Sequence, residues 1–512
     1  MKTVILGLDG AAFELIDPWI ESGELPNLKK IKEEGVFGDL SVCLPPVTCP
    51  NWKCYSTGKN PGKLGIFWWE NIDWEKRKVY VPNYRTSSEE IWDYLNDEGI
   101  KTAVINMPTT YPPKEVDGYM VAGGPDSMNK NFAYPSSFEK ELLDSGYKVR
   151  IDEHISSGED CKKYFDEIAE MMESRFRLGK NLLENDMEID FLHLTITYIN
   201  GLHHFLWDDE IVKEGWKVID DNLEHLVELA EEGEINLLLM SDHGSNRIRD
   251  VFNINTWLER EGYLKTKESP VSNIFKKIGL TRSKAAEIAK KIGFWRKLKQ
   301  IIPNSVTESI PTEEGGVKKD AKERVIDWEE SVAVASGQGP IYLNENMKES
   351  ENKTVRKELI KKLENLESPI TGRKIVKRVY RKEEIYSGEY FEDAPDLIID
   401  QNEHIHIQGD IGNDKVFSKP GKWLGENKNP GLFMGYGPDI GSKEIEDISI
   451  LDLAPTVLHM LELPVPNVMD GQVKKEIFSE DSNAFTRKVK PSNSSKEAIS
   501  EKVKELKKAG KI

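Results

Sequence analysis

Short apolar runs rich in β-forming residues recur along this chain, and they restrict its fold more than any other feature. They cover residues 4–8, 103–105, 191–196, 235–240, 396–399 and 432–434. Charged segments with helical periodicity lie between them. This alternation is typical of a mostly parallel sheet whose two faces are both covered by helices. The sequence therefore predicts an α/β architecture.

Two segments depart from this pattern and set the predicted domain limits. Residues 265–325 begin with a basic, helix-forming stretch and end in a polar linker, so we interpret them as a helical insertion or cap. Residues 484–512 are polar and rich in lysine, and we expect them to form a loosely packed tail. The predicted core is the remainder, residues 1–264 and 326–483.

The composition argues against several classes of protein. A net charge of −19 argues against general nucleic-acid binding, because a phosphate backbone is held mainly by clustered Lys and Arg. No apolar run approaches the roughly 20 residues that cross a bilayer. Asp9 directly follows the first apolar run, which indicates a buried strand and not a secretory signal. We therefore expect a cytoplasmic protein.

The basic part of the insertion is the exception to this acidic composition. Within residues 265–302, apolar side chains recur between Lys and Arg residues. Such a stripe is typical of a helix that lies on an anionic membrane surface. It is equally typical of a cap helix that packs on its own protein and keeps a solvated basic face. We favour the cap, and peripheral membrane contact stays the alternative.

Polar residues stand at the ends of three predicted strands, where ligands bind in α/β folds. Asp9 ends the first strand and precedes Gly10, which permits a tight turn. Asp242 and His243 follow the strand at 235–240, and Zn²⁺ accepts such a mixture of oxygen and nitrogen ligands. Taken alone, a carboxylate at a strand end is also a common helix cap or turn residue.

The third strand end leads into a predicted helix that carries a histidine pair. Asn200 and His204 share one helix face because they are four residues apart, whereas His203 points elsewhere. Two adjacent histidines usually comprise one structural and one exposed residue. This motif therefore indicates a site only in combination with the other strand ends.

Thr48 is a hydroxyl residue between Pro46 and Pro50, at a predicted helix start. The prolines restrict the backbone, and amide groups at a helix N-terminus can meet an anion. One interpretation is a hydroxyl held beside a bound anion. The alternative is an ordinary N-cap threonine.

The order and spacing of these motifs resemble the type I phosphodiesterase and nucleotide pyrophosphatase branch of the alkaline phosphatase superfamily. Further matches lie at residues 57–62, 255–258, 394–397, 452–456 and 469–471. The resemblance implies an alkaline phosphatase-like three-layer fold and a metal-dependent phosphodiesterase or phosphohydrolase acting on a small phosphorylated molecule. It makes Thr48 the nucleophile, through a covalent phospho-threonine intermediate. A phosphomutase or other hydrolase of the superfamily, or a weakly active or non-catalytic member, stays open.

The resemblance also implies two cation sites, of which one is intact. Asp9, Thr48, Asp242 and His243 match the ligand set of one cation, and all four are present. Zn²⁺ is the expected cation there, because the set combines carboxylate oxygens with an imidazole nitrogen.

The second implied site departs from the family pattern. Asn200 stands in place of an Asp, His204 is retained, and Asn427 stands in place of a later His. An amide oxygen is a neutral and weaker ligand, so we expect this site to be weakened. The sequence leaves open whether it is empty, holds Zn²⁺, Mn²⁺, Mg²⁺ or Ca²⁺, or recruits His404 or His406.

Overall fold

The computed structural model describes residues 2–84, 88–125, 127–151, 161–185, 188–267 and 319–493. The chain divides into two compact units: unit 1 is residues 1–64, 84–246 and 427–512, and unit 2 is residues 65–83 and 247–426. Most of the predicted insertion, 268–318, and most of the predicted tail, 494–512, lie outside the described residues. The interpretation of both segments, and the limits of the predicted core, therefore stay predictions.

The strands and helices are numbered in chain order. The strands are β1 (Lys2–Leu8), β2 (Val36–Ser41), β3 (Asn71–Asp73), β4 (Lys78–Tyr80), β5 (Thr102–Pro108), β6 (Gly118–Gly123), β7 (Ala133–Tyr134), β8 (Phe191–Ile196), β9 (Ile235–Met240), β10 (Gly244–Arg247), β11 (Asp250–Asn253), β12 (Ala333–Ala335), β13 (Pro340–Leu343), β14 (Val376–Arg381), β15 (Leu397–Gln401), β16 (Ile405–Gln408), β17 (Phe417–Ser418), β18 (Gly425–Lys428), β19 (Gly431–Tyr436), β20 (Lys443–Glu444), β21 (Ile448–Ser449), β22 (Val465–Pro466) and β23 (Pro491–Ser492). The helices are α1 (Phe13–Glu21), α2 (Pro26–Glu34), α3 (Thr48–Thr57), α4 (Pro61–Leu64), α5 (Ile91–Asp97), α6 (Ser136–Asp144), α7 (Cys161–Glu184), α8 (Tyr198–Leu206), α9 (Ile211–Glu231), α10 (Ile254–Arg260), α11 (Lys319–Val325), α12 (Glu349–Glu364), α13 (Lys382–Ile385), α14 (Ile450–Met460) and α15 (Asn483–Thr486). None of these described helices is long and apolar enough to cross a membrane.

Unit 1 is built on a ten-stranded sheet. Its order is β20–β2–β19–β9–β1–β8–β5–β6–β7, with β21 also paired to β2. The five strands from β9 to β6 are all parallel, whereas β19 runs antiparallel to both of its neighbours. The predicted α/β fold with a mostly parallel sheet is confirmed.

Helices cover both faces of this sheet, as β1 shows. Successive side chains of a strand point to opposite faces. Val4, Leu6 and Leu8 join a hydrophobic cluster that also contains residues of α7 and α9. On the other face, a Cβ atom added to Gly7 would lie 2.5 Å from the ring of Trp52 in α3, so only glycine allows this close approach. The sheet is therefore the middle of three layers.

Unit 2 has its own sheets and its own core. Its larger sheet is antiparallel, in the order β12–β13–β15–β14, and a smaller one has the order β16–β11–β17. Its buried hydrophobic cluster includes Phe252, Trp328 and Ile399. In unit 1, β23 pairs in parallel with β22, so residues 491–492 of the predicted tail contribute a strand to that unit.

Candidate functional site

Two neighbouring strands of unit 1 bring three side chains to the same edge of the sheet. Asp9 comes directly after β1, and Asp242 and His243 follow the end of β9. Because β1 and β9 are parallel and hydrogen-bonded, their carboxyl ends are adjacent. All three side chains are buried. Their position at this edge is the one at which ligands bind in α/β folds.

Thr48 is the first residue of α3 and faces this edge. The preceding residue, Val47, has an extended backbone (φ −126°, ψ 142°) and occupies the cap position, and no side chain caps the helix. The N-cap alternative for Thr48 is therefore wrong, because its hydroxyl makes no capping hydrogen bond at the start of the helix. Its Oγ1 lies instead 3.1 Å from Nε2 of His243.

Asn51, which no sequence motif singled out, fixes the loop that leads to Thr48. Its Oδ1 accepts a hydrogen bond from the Cys43 amide (2.8 Å), and its Nδ2 lies within 3.2 Å of the Cys43, Pro45 and Val47 carbonyl oxygens. The side chain is completely buried. One amide group thus ties the loop to the first turn of the helix and sets where Thr48 begins it.

We expect Asn51→Ala to slow hydrolysis of a phosphoric ester by about tenfold or more, because misplacing a reacting group by about 1 Å is enough for such a loss. The change should also lower the free energy of unfolding by about 1–3 kcal/mol, since it leaves buried backbone groups unpaired. Asn255→Ala in unit 2 is the matched control, because Asn255 is buried and bonds Ala335 and Gly409 in the same way. An equal loss of rate per folded molecule in both variants would contradict a positioning role for Asn51.

His243 presents a nitrogen lone pair to the buried oxygens. Its Nδ1 lies 3.0 Å from the Gly244 carbonyl oxygen, which can only accept, so Nδ1 carries the proton in the neutral ring. Its Nε2 is 3.2 Å from Asp242 Oδ2 and 3.6 Å from Asp9 Oδ1. A histidine that ligates a metal usually donates its other ring N–H to such an acceptor.

The electrostatics of this cluster fit a divalent cation. Burial raises the pKa of Asp9 well above its usual range, and the charge of Asp242 raises it further. Burial also raises the pKa of Asp242 to about 8. In the described structure, the buried Oδ2 of Asp242 accepts no hydrogen bond. Among the described residues, only Asp9, Asp242 and His243 form a group of three His, Cys, Asp or Glu with ligand atoms within 4.8 Å.

These pKa shifts predict how the stability of the metal-free protein depends on pH. Asp242 ionises near 3.8 in a model peptide and at about 8 in the folded protein, so the folded state binds the extra proton between these values. The free energy of unfolding should therefore fall as the pH rises from about 4 to about 8. Urea unfolding of chelator-treated protein at pH 5 and pH 8 measures this change in the free energy of unfolding. Asp242→Asn is the control and should flatten the slope, whereas an unchanged slope in that variant would contradict the assignment.

A comparison with protein-family models decides the family. Residues 3–431 match the model of type I phosphodiesterase / nucleotide pyrophosphatase. The chain belongs to this family. The resemblance inferred from the motifs is thereby confirmed, and the chain is assigned to a metal-dependent class of phosphoric ester hydrolases. No curated protein matches it.

Solved structures show the same fold as this family member. Human ectonucleotide pyrophosphatase/phosphodiesterase 5 is 14% identical with a TM-score of 0.51, over 94% of this chain and 100% of that one. Phosphonoacetate hydrolase from Sinorhizobium meliloti 1021, bound to phosphonoformate, is 14% identical with a TM-score of 0.55, over 89% of this chain and 94% of that one. An inactive murine ectonucleotide pyrophosphatase/phosphodiesterase 5 bound to AMP is 14% identical with a TM-score of 0.50, over 94% of this chain and 100% of that one. At this identity the likeness shows the fold alone, and it confirms the alkaline phosphatase-like architecture.

Asn200, which the motif resemblance assigned to the second cation site, points its amide nitrogen at Asp9. The buried Nδ2 of Asn200, in α8, donates a hydrogen bond to Asp9 Oδ1 at 2.8 Å. His204, on the same helix, is half-buried, and its ring contacts the edge of Phe205. His204 is not in the group formed with Asp242 and His243. Its role as a ligand of a second cation stays a prediction.

The other residues assigned to the second cation site lie on β18 or in unit 2. Asn427 is buried on β18. Within unit 2, Nδ1 of His406 contacts the Glu426 carboxylate, and Nδ1 of His404 lies 2.7 Å from the Arg247 carbonyl oxygen. Recruitment of either histidine by the second site stays a prediction.

His203, for which no site role was predicted, is completely buried next to the site. Trp216 in α9 donates its indole N–H to Nε2 of His203 at 3.1 Å, and Nδ1 of His203 lies 3.3 Å from Oγ of Ser245. Burial lowers the pKa of His203 to about 3, so the ring is neutral. No local sequence signal reveals these contacts of His203, because its partners lie on other helices and strands.

Proposed function

We propose that this chain is a metal-dependent phosphodiesterase or phosphohydrolase in which the Thr48 hydroxyl attacks phosphorus. The observation that carries the proposal is the 3.1 Å contact between Thr48 Oγ1 and His243 Nε2, beside buried Asp9 and Asp242. A hydroxyl in this position lies beside the carboxylate and imidazole groups that could bind a cation. It is also the hydroxyl that the resemblance to the family implies as the nucleophile.

Asp9, Thr48, Asp242 and His243 would hold the cation. We propose Zn²⁺, because it suits their mixture of oxygen and nitrogen atoms. When bound, the cation supplies positive charge that lowers the pKa of the Thr48 hydroxyl. The Gly244 carbonyl keeps the His243 ring in the tautomer that presents Nε2.

The reaction then proceeds in two displacements at phosphorus, the first by Thr48 and the second by water. The Thr48 hydroxyl gives up its proton to solvent as Oγ1 forms a bond to phosphorus; the bond from phosphorus to the departing oxygen breaks, and that oxygen takes a proton from solvent. The positive end of α3, which begins at Thr48, stabilises the negative charge that develops there. Water then attacks the phosphorus of the phospho-threonine ester, which releases the phosphorylated product and restores the hydroxyl.

We propose small phosphorylated molecules as substrates. One structural relative was solved with AMP bound and another with phosphonoformate bound, and both molecules are small. A second cation normally stabilises the departing oxygen, and Asn200 and Asn427 weaken that second site, whether it takes Zn²⁺, Mn²⁺, Mg²⁺ or Ca²⁺. We therefore expect preference for phosphodiesters and anhydrides whose leaving groups are acidic. General nucleic-acid binding is not expected at a net charge of −19.

A substrate screen at saturating Zn²⁺ tests this function. It compares an aryl phosphodiester, a nucleotide anhydride, a phosphomonoester and a sugar phosphate. Hydrolysis of the diester or the anhydride supports the proposal. An isomerised sugar phosphate would instead indicate a phosphomutase. Stoichiometric Zn²⁺ without turnover would indicate a binding protein.

The cytoplasmic location and the role of the basic segment remain proposals. Residues 268–302 of that segment lie outside the described residues. Sedimentation with liposomes that contain anionic lipid tests membrane contact. Binding that is lost at high salt would support a helix lying on the membrane surface. Absence of binding would favour the interpretation as a cap helix.

A further inference from the structure

A continuous hydrogen-bond chain in unit 1 runs from α9 to the proposed cation site. Trp216 Nε1 donates to His203 Nε2 at 3.1 Å, and His203 Nδ1 lies 3.3 Å from Ser245 Oγ. Ser245 Oγ lies 3.3 Å from Asn200 Oδ1, and Asn200 Nδ2 lies 2.8 Å from Asp9 Oδ1. All five side chains are buried. Water therefore does not compete for these groups.

The direction of every link follows from the first one. An indole N–H can only donate, so Nε2 of His203 is the acceptor and Nδ1 of the neutral ring carries the proton. That proton is donated to Ser245 Oγ. The single hydroxyl proton of Ser245 is then left for Asn200 Oδ1.

This direction fixes which end of the Asn200 amide faces Asp9. With Oδ1 accepting from Ser245, Nδ2 points at Asp9 and donates to its carboxylate. A flipped amide would set its oxygen against the ionised Asp9 carboxylate, and it would remove the acceptor that Asn200 offers to the Ser245 proton. A buried repulsive contact and a buried unpaired polar group are both costly.

The backbone of Gly10 packs against the contact between Asn200 and Ser245. A Cβ atom added there would lie 2.5 Å from Asn200 Oδ1 and 2.6 Å from Ser245 Oγ. These two oxygens therefore lie against the backbone, with no space for a side chain at position 10. The amide oxygen, which is the atom an asparagine offers to a metal, is engaged on this side.

We propose that Asn200 is a hydrogen-bond donor to Asp9 and not a cation ligand, and that Trp216, His203 and Ser245 are the positioning residues that hold it so. Asn200 then supports the cation bound by Asp9 instead of contributing to a second one. The inference rests on the proposed function for the location of that cation. The links from Trp216 through His203 to Ser245 involve none of the proposed cation ligands, so their direction does not depend on the cation.

The first measurement concerns the chain alone. Nitrogen-15 NMR of histidine-labelled, metal-free protein reports which ring nitrogen of His203 carries the proton, with His203→Gln used to assign the signal. We expect a neutral ring protonated at Nδ1. Protonation at Nε2 would overturn the proposal, because Trp216 would then have no acceptor and the direction of the chain would be lost.

The second measurement concerns the cation. Zn²⁺ affinity of the full chain is measured by competition with a chelator for wild type, Asn200→Ala, Ser245→Ala and the double variant. We expect each single change to weaken Zn²⁺ binding by about tenfold or more, as for residues that orient a ligand. The double variant should be no weaker than either single one, because both act through one contact. The Zn²⁺ stoichiometry should stay the same in all four.

Ser245→Thr is the conservative control, because it keeps a hydroxyl and should retain most of the wild-type affinity. If Ser245→Ala leaves the affinity unchanged while Asn200→Ala weakens it, Asn200 acts by itself and the proposed positioning role is wrong. If Asn200→Ala lowers the number of bound Zn²⁺ ions, Asn200 is a ligand and the proposal fails. A wild type that binds no Zn²⁺ yet shows the expected His203 tautomer would refute the proposed cation site and leave the hydrogen-bond chain standing.

Discussion

Thr48→Ala is expected to lower the rate of phosphodiester hydrolysis by about 10⁴-fold or more, as removal of a nucleophile does in other hydrolases. The fold and the Zn²⁺ content at saturation should remain nearly those of wild type, because one hydroxyl contributes little to a core and the three other proposed ligands remain. Thr48→Ser should keep part of the rate, since it retains the attacking oxygen. Steady-state rates, circular dichroism and metal analysis provide the measurements.

Thr57→Ala is the matched control for this change. Thr57 is buried at the other end of the same helix, and its hydroxyl donates to the Lys53 carbonyl oxygen at 2.6 Å. Its loss should cost some stability but little of the rate per folded molecule. A Thr48→Ala enzyme that turns over a diester at the wild-type rate would show that another group attacks phosphorus.

Loss of a ligand at the intact site should have the second largest effect. We expect Asp242→Ala and His243→Ala each to weaken Zn²⁺ binding by more than about 100-fold, which exceeds the usual loss for a residue that only orients a ligand. Hydrolysis should fall in parallel. His204→Ala should leave the tightly bound cation in place, because His204 is not in the group of Asp9, Asp242 and His243.

Chelator competition followed by elemental mass spectrometry measures these three variants under one set of conditions. Asp242→Asn provides the shape-matched version, since it keeps the size of the side chain and removes its charge. Equal losses of tightly bound Zn²⁺ from the Asp242, His243 and His204 variants would mean that the two cation sites have similar strength. The interpretation of Asn200 and Asn427 as weakening changes would then be wrong.

The sequence predicts the parts of this fold that depend on local pattern. The apolar runs at 191–196 and 235–240 coincide with β8 and β9, because buried parallel strands need continuous apolar residues. Asp9 and Asp242 could be selected because they end such runs. The strands of unit 2 are short and lack a comparable run except at β15, so the sequence shows little of that unit.

The supporting residues of the site could not be predicted in this way. Asn51 acts on backbone groups of a loop, and His203 connects a tryptophan on α9 with Ser245 on β10. These contacts depend on tertiary placement, and no spacing in the sequence encodes them. The identity of Asn200 indicated a weaker ligand, whereas only the structure shows that its nitrogen faces Asp9.

Thr48 is expected to carry the phosphoryl group during turnover. Rapid mixing of enzyme with an aryl phosphodiester or nucleotide anhydride, followed by acid quenching and peptide mass spectrometry, detects the residue that is modified. We predict that the phosphoryl group, together with the substituent that stays on phosphorus, is attached only to Thr48, appears no later than the first turnover and is absent in Thr48→Ala. Continued product release with Thr48 unmodified at every quench time, while another residue carries that group, would contradict this role of Thr48.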